Sequence, residues 1–478
     1  MTQYPQAKLS LTHYAILLTV GTVLARLATL GFYPLMDTTE ARYGEMARIM
    51  SETGNWITPM FDYNVPFWGK PPLFSWLSAG GFELMGVNEF AARVPHLAVG
   101  IAILIITWLL AVKVRTKNEA WLAVAILSTT TAFIVISGAV MTDTALTFAV
   151  TLSMASFWLA WEKASRLWGY LFFVGLAIGM LAKGPLTLVL VGISLVMWLA
   201  QEQRWRCIPS CLPWKGGGVV FLVISLPWYI LAEWKTPGFL NYFIVGEHIK
   251  RFVVSGWEGD LYGSAHDEIR GTIWVFWFLA ALPWAPVLLY QVFRLSREGE
   301  EVVQSSEGYM GYLWCWMLSP MLLFTMAGNI LPSYVMPGLP ALGLLVAGYH
   351  GQRPLSDKVF KVGLITPGLL IVATILLANN LAGKESEKVL LSQWAKQVEK
   401  EKSELIYIDK RPFSAQFYSV GKAKLNQASL PTLLAEPAED VFFVVEKGRL
   451  PSGFMWDKSR CELRAESNKR QLVHCKAG

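Results

Sequence analysis

Residues 11–33, LTHYAILLTVGTVLARLATLGFY, lead directly into residues 35–50, LMDTTEARYGEMARIM. The first stretch is apolar over the roughly 20 residues that a helix needs to cross a bilayer. The second carries Asp37, Glu40, Arg42, Glu45 and Arg48. The charged stretch continues through VPFWGKPPLFSWL (65–77) to residue 91, adding Asp62, Lys70 and Glu83 before the chain turns apolar again. An apolar helix opening into a long, charged, aromatic-rich loop reads as a membrane protein that keeps its chemistry at the membrane surface. Lys8 precedes the first apolar run and no small-residue cleavage site follows it, so the run is expected to be a retained helix rather than a signal peptide.

Working outward from this loop, apolar runs recur at 13–34, 92–112, 119–140, 144–161, 167–182, 185–201, 217–234, 271–292, 308–327, 333–350 and 360–379. The fold class expected is therefore a polytopic α-helical membrane protein with about 11 transmembrane helices. Composition agrees. The chain is 54% hydrophobic and only 16% charged, where soluble domains average about 25% charged residues, and its mean hydropathy is +0.41. The 21 tryptophans suit the two membrane–water interfaces. A net charge of +6 is spread over short loops, and nothing in it suggests nucleic-acid binding.

With the N-terminus in the cytoplasm, the inside loops hold Lys113, Arg115 and Lys117, then Lys163 and Arg166, then Arg204, Arg206 and Lys215, then Arg294 and Arg297, then Arg353, Lys358 and Lys361. The turns near Asp143 and Asn329 have no Lys or Arg, and the one near Lys183 has that residue alone. This asymmetry is the positive-inside pattern. It places the loops 35–91 and 235–270 outside, which in a bacterium means the periplasmic side of the inner membrane. An odd number of spans then puts the tail outside as well. The expected division is a membrane domain, 1–379, and a soluble C-terminal domain, 380–478, of mixed α/β texture. In the tail, ELIYID (404–409) and VFFVVEK (441–447) read as strands, and FSAQFYSV (413–420) and LPTLLAE (430–436) as helices or turns. Cys207 and Cys211 fall in an inside loop and Cys315 in a span, while Cys461 and Cys475 lie in the oxidising compartment and are expected to form a disulfide.

Several charged residues have both a structural and a chemical reading. Asp37-Thr-Thr-Glu40 has the form of a capping box, yet a carboxylate where a span leaves the bilayer is also where a surface enzyme holds a base or an acceptor. Lys70 precedes two prolines, which favour a helix start, so its ammonium lies beside orphan N–H groups that suit an anion. Lys183 repeats the device in LAKGPLT; snorkelling to the interface is the alternative for either lysine. Asp143 between two apolar spans either caps the next helix or faces a polar cavity. The loop 235–270 supplies Glu247, His248, Lys250, Arg251, Asp260, His266 and Asp267. Arg251 suits a phosphate, and the Glu and His residues leave room for a divalent metal, although no spacing compels one. Tyr334, after Asn329-Ile-Leu-Pro-Ser, either donates to a phosphate oxygen or belongs to the interfacial belt.

Taken together, DTTEARYGEMAR (37–48), GKPPLFSWL (69–77), NEFAARVPHL (88–97), MTDTALTF (141–148), LAKGP (181–185), PWYILA (227–232) with PGFLNYFIVGEHIKRF (237–252), and LPSYVMPGLPAL (331–342) resemble the polyprenol-phosphate-sugar-dependent GT-C glycosyltransferases. That group contains the protein O-mannosyltransferases and the aminoarabinose transferase that modifies lipid A. The resemblance covers about residues 10–350. It implies that Asp37 is the catalytic loop carboxylate and Asp143 a second acid of the centre. Lys70, Arg251, Tyr334, Lys183 and Arg42 would hold the carrier phosphate, with Glu40, Glu247, His248 and His266 also in the cavity. Aminoarabinose transferases typically have Glu before the KPP lysine and Lys before the LP-[ST]-Y turn; here those positions are Gly69 and Ile330.

The activity expected is transfer of a sugar, with inversion, from an undecaprenyl phosphate carrier to a lipid, glycan or protein acceptor, lipid A or the lipopolysaccharide core among them. No cofactor is required for that chemistry. Two other classes predict different sequences. An O-antigen ligase-like enzyme needs a large loop between late spans, whereas here the large loop is the first. A flippase or transporter predicts ionisable groups near the midplane and internal repeats, whereas here charges cluster at one surface.

Overall fold

The computed structural model describes residues 10–205, 208–254, 257–263, 268–297, 308–379, 381, 386–398, 404–426, 440–449 and 460–476. His266, Asp267, Arg206, Cys207 and the stretch LPTLLAE lie outside the described residues. Two compact units emerge: residues 1–32 with 49–374, and residues 33–48 with 375–478.

The larger unit is helical and identifies a multi-pass membrane protein. Leu11–Thr29, Glu89–Val114, Asp143–Lys163, Arg166–Lys183, Trp214–Lys235 and Asp357–Ala378 are each long and apolar enough to span a bilayer. Other apolar segments are shorter or broken. The run 119–140 forms Lys117–Ser128 and Thr131–Ile136, and 333–350 forms a 3-10 turn, Pro332–Gly338, followed by Leu339–Gln352. The run 271–292 forms Thr272–Ala280 and Trp284–Arg297, bent by 102°. Proline explains the bend, because Pro283 has no N–H to continue the ladder.

Two of these breaks satisfy each other. The Thr131 N–H and hydroxyl both donate to the Leu282 carbonyl, at 2.9 and 3.0 Å. The Trp284 indole donates to Thr129 Oγ1 at 3.0 Å. Irregular backbone inside a membrane is tolerated where protein groups satisfy it, and here each break supplies the other's partner. At the centre, Asp143–Lys163 is almost wholly buried. Small residues let its neighbour approach: a Cβ on Gly175 would come within 2.4 Å of Ser153 Oγ and 3.0 Å of the Ala149 carbonyl. Close backbone approach through small residues is how helices pack where lipid offers no hydrophobic drive.

The smaller unit is built on a five-stranded sheet. Its strands in chain order are β1 (Glu404–Ile408), β2 (Ala423–Asn426), β3 (Val441–Glu446), β4 (Cys461–Glu466) and β5 (Arg470–Cys475), and their spatial order is β2-β1-β3-β5-β4. The first three run parallel, and the β4–β5 hairpin adds antiparallel to β3. Alternation gives the sheet two apolar faces. Leu405, Tyr407, Phe442, Val444 and Leu472 pack with Leu390, Leu391 and Trp394 of the helix Lys388–Val398. Ile408, Val441, Phe443, Val445 and Val473 form the other face.

Cys461 and Cys475 face each other across β4 and β5 with Cα atoms 4.1 Å apart, and they form a disulfide. Because it closes a short loop, its removal by Cys461→Ser should cost the sheet roughly 2–3 kcal/mol. Hydrogen exchange in β5 is the check: unchanged amide protection in the variant would count against it.

Residues 33–48 belong to this same unit, whereas the sequence gives no sign that they separate from the rest of the first loop. Leu35 is fully buried, its N–H donates to the Tyr418 hydroxyl at 2.7 Å, and Gly44 lies against the Leu35 and Phe417 side chains.

Candidate active site

Lys70 reaches its position by the route its sequence implies. Pro71 and Pro72 fix the backbone ahead of the helix Leu73–Met85. Lys70 Nζ donates to Glu247 Oε2 at 2.8 Å and to its neighbour's carbonyl, Gly69 O, at 2.7 Å. Glu247 comes from a π-helix, Asn241–Lys250, a form that recurs at functional sites. Arg251 follows immediately and donates through Nη1 to both Glu247 oxygens, at 3.2 and 3.1 Å. Asp260 lies 3.2 Å from the same Nη1.

Burial opposes the charge on Glu247, but Lys70 and Arg251 outweigh it and hold the carboxyl below its ordinary value. Burial likewise opposes the charge on Arg251, and Glu247, Tyr334 and Asp260 reverse that effect, so its pKa is raised. Aromatic rings wall the cluster. Tyr242 donates to Glu247 at 3.3 Å, and its ring meets Trp257 at 6.3 Å and Tyr262 at 5.8 Å. Trp68 approaches Tyr242 at 6.2 Å. Asn329 ties the cluster to the following turn by donating to the carbonyls of Arg251 and Val254, at 2.8 and 3.0 Å.

Lys183 is arranged differently from Lys70. It pairs with Asp143 at 2.8 Å, with both side chains buried, and its ammonium lies 4.6 Å from the centre of the Tyr334 ring. The structure thus brings Asp143, Lys183 and Tyr334 together, but as a closed ion pair against an aromatic face. His248 Nδ1 is 2.8 Å from the Phe243 carbonyl and Nε2 is 3.2 Å from the Lys183 carbonyl. Burial pushes its pKa below the ordinary histidine value, against those two hydrogen bonds. Both ring nitrogens face backbone carbonyls, and a neutral imidazole donates to one of them. Among the described residues, no three His, Cys, Asp or Glu groups converge on a metal position.

Asp37 lies in the smaller unit. It accepts from the Ser414 N–H at 3.1 Å, and the Ser414 hydroxyl makes a very short hydrogen bond to its second oxygen. The carboxylate therefore caps the helix Phe413–Tyr418 rather than the helix Thr39–Thr53 that follows it in sequence. Behind Ser414, the Glu387 N–H donates to its hydroxyl at 3.1 Å, and Glu387 accepts from Tyr407 at 3.0 Å and Arg470 at 2.6 Å. Burial raises the pKa of Asp37, while the bonds from Ser414 and the charge of Arg470 pull it down. Glu40 and Arg42 occupy the first turns of the helix Thr39–Thr53, with the Arg42 guanidinium 5.1 Å from the Tyr43 ring centre.

Sequence reasoning named Asp260 among the charges of its loop without its partner, and did not single out Tyr242 or Ser414. Asp260 meets Arg251 across a loop, and Ser414 meets Asp37 across 377 residues, so neither pairing leaves a periodic signal. The π-helix was equally silent, since NYFIVGEHIK carries no proline to mark it.

The sequence profile of the dolichyl-phosphate-mannose-protein mannosyltransferase family matches residues 16–243. An undecaprenyl phosphate-alpha-4-amino-4-deoxy-L-arabinose arabinosyl transferase from Erwinia tasmaniensis is 30% identical over 72% of this chain and 60% of its own length. A protein of that description from Pseudomonas fluorescens is 31% identical over 72% of this chain and 60% of its own. The chain thus spans about 60% of the length of the curated relatives it matches. Among solved structures, ArnT from Cupriavidus metallidurans bound to undecaprenyl phosphate superposes with a TM-score of 0.79 at 16% identity, covering 97% of this chain and 98% of that one. The fold is shared along nearly its whole length. In its ordered motifs, in the family match over residues 16–243 and in this common fold, the chain is similar to the GT-C glycosyltransferases, the group of the protein O-mannosyltransferases and the lipid A aminoarabinose transferases.

Proposed function

We propose that the protein transfers a sugar from undecaprenyl phosphate to a lipid acceptor at the periplasmic face of the bacterial inner membrane, with lipid A as the leading acceptor and 4-amino-4-deoxy-L-arabinose as the leading sugar. The observation that carries this reading is the convergence of Lys70 and Arg251 on one buried carboxylate, Glu247. Two cations at a common point, walled by aromatic rings, suit the phosphodiester of a carrier-linked sugar and the monoester it leaves behind. As the glycosidic C–O bond breaks, the phosphate gains charge. Cations fixed in advance lower the energy of that state more than water would.

In this reading the acceptor hydroxyl attacks the anomeric carbon from the face opposite the phosphate and inverts it, and Asp37 takes its proton. Asp37 must first exchange the Ser414 hydroxyl for the acceptor. The expected orientation, with the N-terminus in the cytoplasm and the tail in the periplasm, rests on the distribution of Lys and Arg between loops.

The test is incubation of the purified protein with undecaprenyl phosphate-aminoarabinose and lipid A, with wild type beside Asp37→Asn. Wild type should release undecaprenyl phosphate, and the variant should be slower by about two to four orders of magnitude. Equal release by both would remove Asp37 from the chemistry. No release despite binding of the lipid phosphate would favour a flippase.

The pH profile gives a finer check. A base works only when ionised, and burial raises the pKa of Asp37. Activity should therefore fall on acidification at a higher pH than for an ordinary aspartate. Ser414→Ala removes one of the bonds that lower this pKa, so the acid limb should move to higher pH still. An unmoved limb would show that Asp37 is not the titrating base.

A further inference from the structure

The cation cluster contains its own counter-ions. Lys70 and Arg251 are set against two carboxylates, Glu247 and Asp260, and the group as a whole is neutral. Glu247 has the more telling position. A single oxygen, Oε2, receives Lys70 at 2.8 Å and Arg251 at 3.1 Å. One phosphate oxygen bound between the same cations would make the same pair of contacts. The Glu247 side chain is 2% exposed, while those of Lys70 and Arg251 are 19% and 18% exposed. The carboxylate therefore sits on the protein side of the cations, and the cations retain an open side. Asp260, by contrast, pairs with Arg251 alone among these two cations.

We infer that Glu247 competes with the carrier phosphate for Lys70 and Arg251, and so sets how tightly the spent carrier is held. The inference rests on the proposed carrier site and deepens it. The donor's phosphodiester monoanion entering the neutral cluster meets the Glu247 charge at close range. The monoester dianion left when the sugar departs meets it more strongly, since like charges at that distance disfavour ionisation of both groups. Arrival of the phosphate loosens Glu247 from one or both cations. Tyr242, which donates to Oε1 at 3.3 Å, then remains as its partner. After transfer, Glu247 takes the cations back and the free carrier departs. With two cations and no counter-ion, the site would instead retain its product.

The probe is farnesyl phosphate, a short polyprenyl monophosphate, titrated into detergent-solubilised full-length protein by calorimetry, together with turnover on the undecaprenyl-linked sugar. Glu247→Gln keeps the shape and the Tyr242 hydrogen bond while removing the charge. It should bind farnesyl phosphate about tenfold more tightly or better, since one charge within about 4–6 Å shifts a neighbouring equilibrium by one to three decades. Its kcat should fall as product release becomes limiting. A purely structural role for Glu247 would weaken binding and lower kcat together, so opposite movements of Kd and kcat are the signature. Asp260→Asn removes the same charge but frees only one cation, and should tighten binding less. Glu247→Asp, which draws the carboxylate back from the cations, should fall between wild type and Glu247→Gln, and it carries the comparison if the glutamine variant does not fold.

Binding by Glu247→Gln equal to or weaker than wild type, with binding lost in Lys70→Met and Arg251→Met, would overturn this inference and leave the carrier site standing. Binding that survives both cation substitutions would remove the carrier site itself, and the inference with it.

Discussion

Arg251→Met is expected to lower kcat/KM by about two to three orders of magnitude, the cost of removing a positioned donor from a developing anion. Arg251 Nη1 serves Glu247 and Asp260 together, at 3.1 and 3.2 Å, while the planar guanidinium retains further donors for a phosphate. Arg251→Lys should recover little of the loss, because an ammonium is a point donor and cannot hold that fork. The measurement is release of undecaprenyl phosphate at subsaturating donor, with a melting curve on each variant to separate lost activity from lost fold. A lysine variant close to wild type would mean that charge alone matters at this position and that the guanidinium geometry does not.

The largest effect on stability should come from Asp143→Leu. Asp143 and Lys183 are 5% and 7% exposed in their side chains and pair at 2.8 Å. Removing one partner leaves the other as an uncompensated buried charge, at a cost of about 3–5 kcal/mol. Removing both, in Asp143→Leu with Lys183→Leu, should return most of that stability, because an apolar pair of similar volume escapes the desolvation penalty. Denaturant unfolding in detergent reads both. If the double variant is as unstable as the single one, the pair contributes through its hydrogen bonds to the site rather than through charge balance. Activity of the stable double variant then reports whether Asp143 does more than hold Lys183.

The helical membrane class was legible because its cause is local. Every apolar run long enough to cross a bilayer announces itself within its own residues, as Glu89–Val114 does. The breaks were less legible. Pro283 marks the 102° bend, but the interruption after Ser128 depends on Thr131 finding the Leu282 carbonyl 151 residues away. The two strands ELIYI and VFFVVE could be read from their composition, and the Cys461–Cys475 bond from the side of the membrane that the Lys and Arg distribution leads one to expect for the tail. At the site, Lys70 and Arg251 stood out as cations in unusual settings. What they point to did not, because Lys70 and Glu247 are 177 residues apart. Lys183 has a motif like that of Lys70, and each pairs with a distant carboxylate at 2.8 Å. What separates them is that Lys183 is more deeply buried, against the Tyr334 ring, and neither feature is written in the motif.

The grouping of residues 33–48 with the tail has a consequence for the order in which the protein can be made. Asp37 leaves the ribosome 377 residues before Ser414, the residue that holds its carboxylate. At about 5–20 residues per second, that interval is roughly 20–75 s. Throughout it, the buried side chains of Leu35, Met36 and Tyr43 lack the strands and helices of the unit they belong to. The first loop thus emerges early and is completed last, so a nascent chain carries its proposed base unassembled until synthesis is nearly finished.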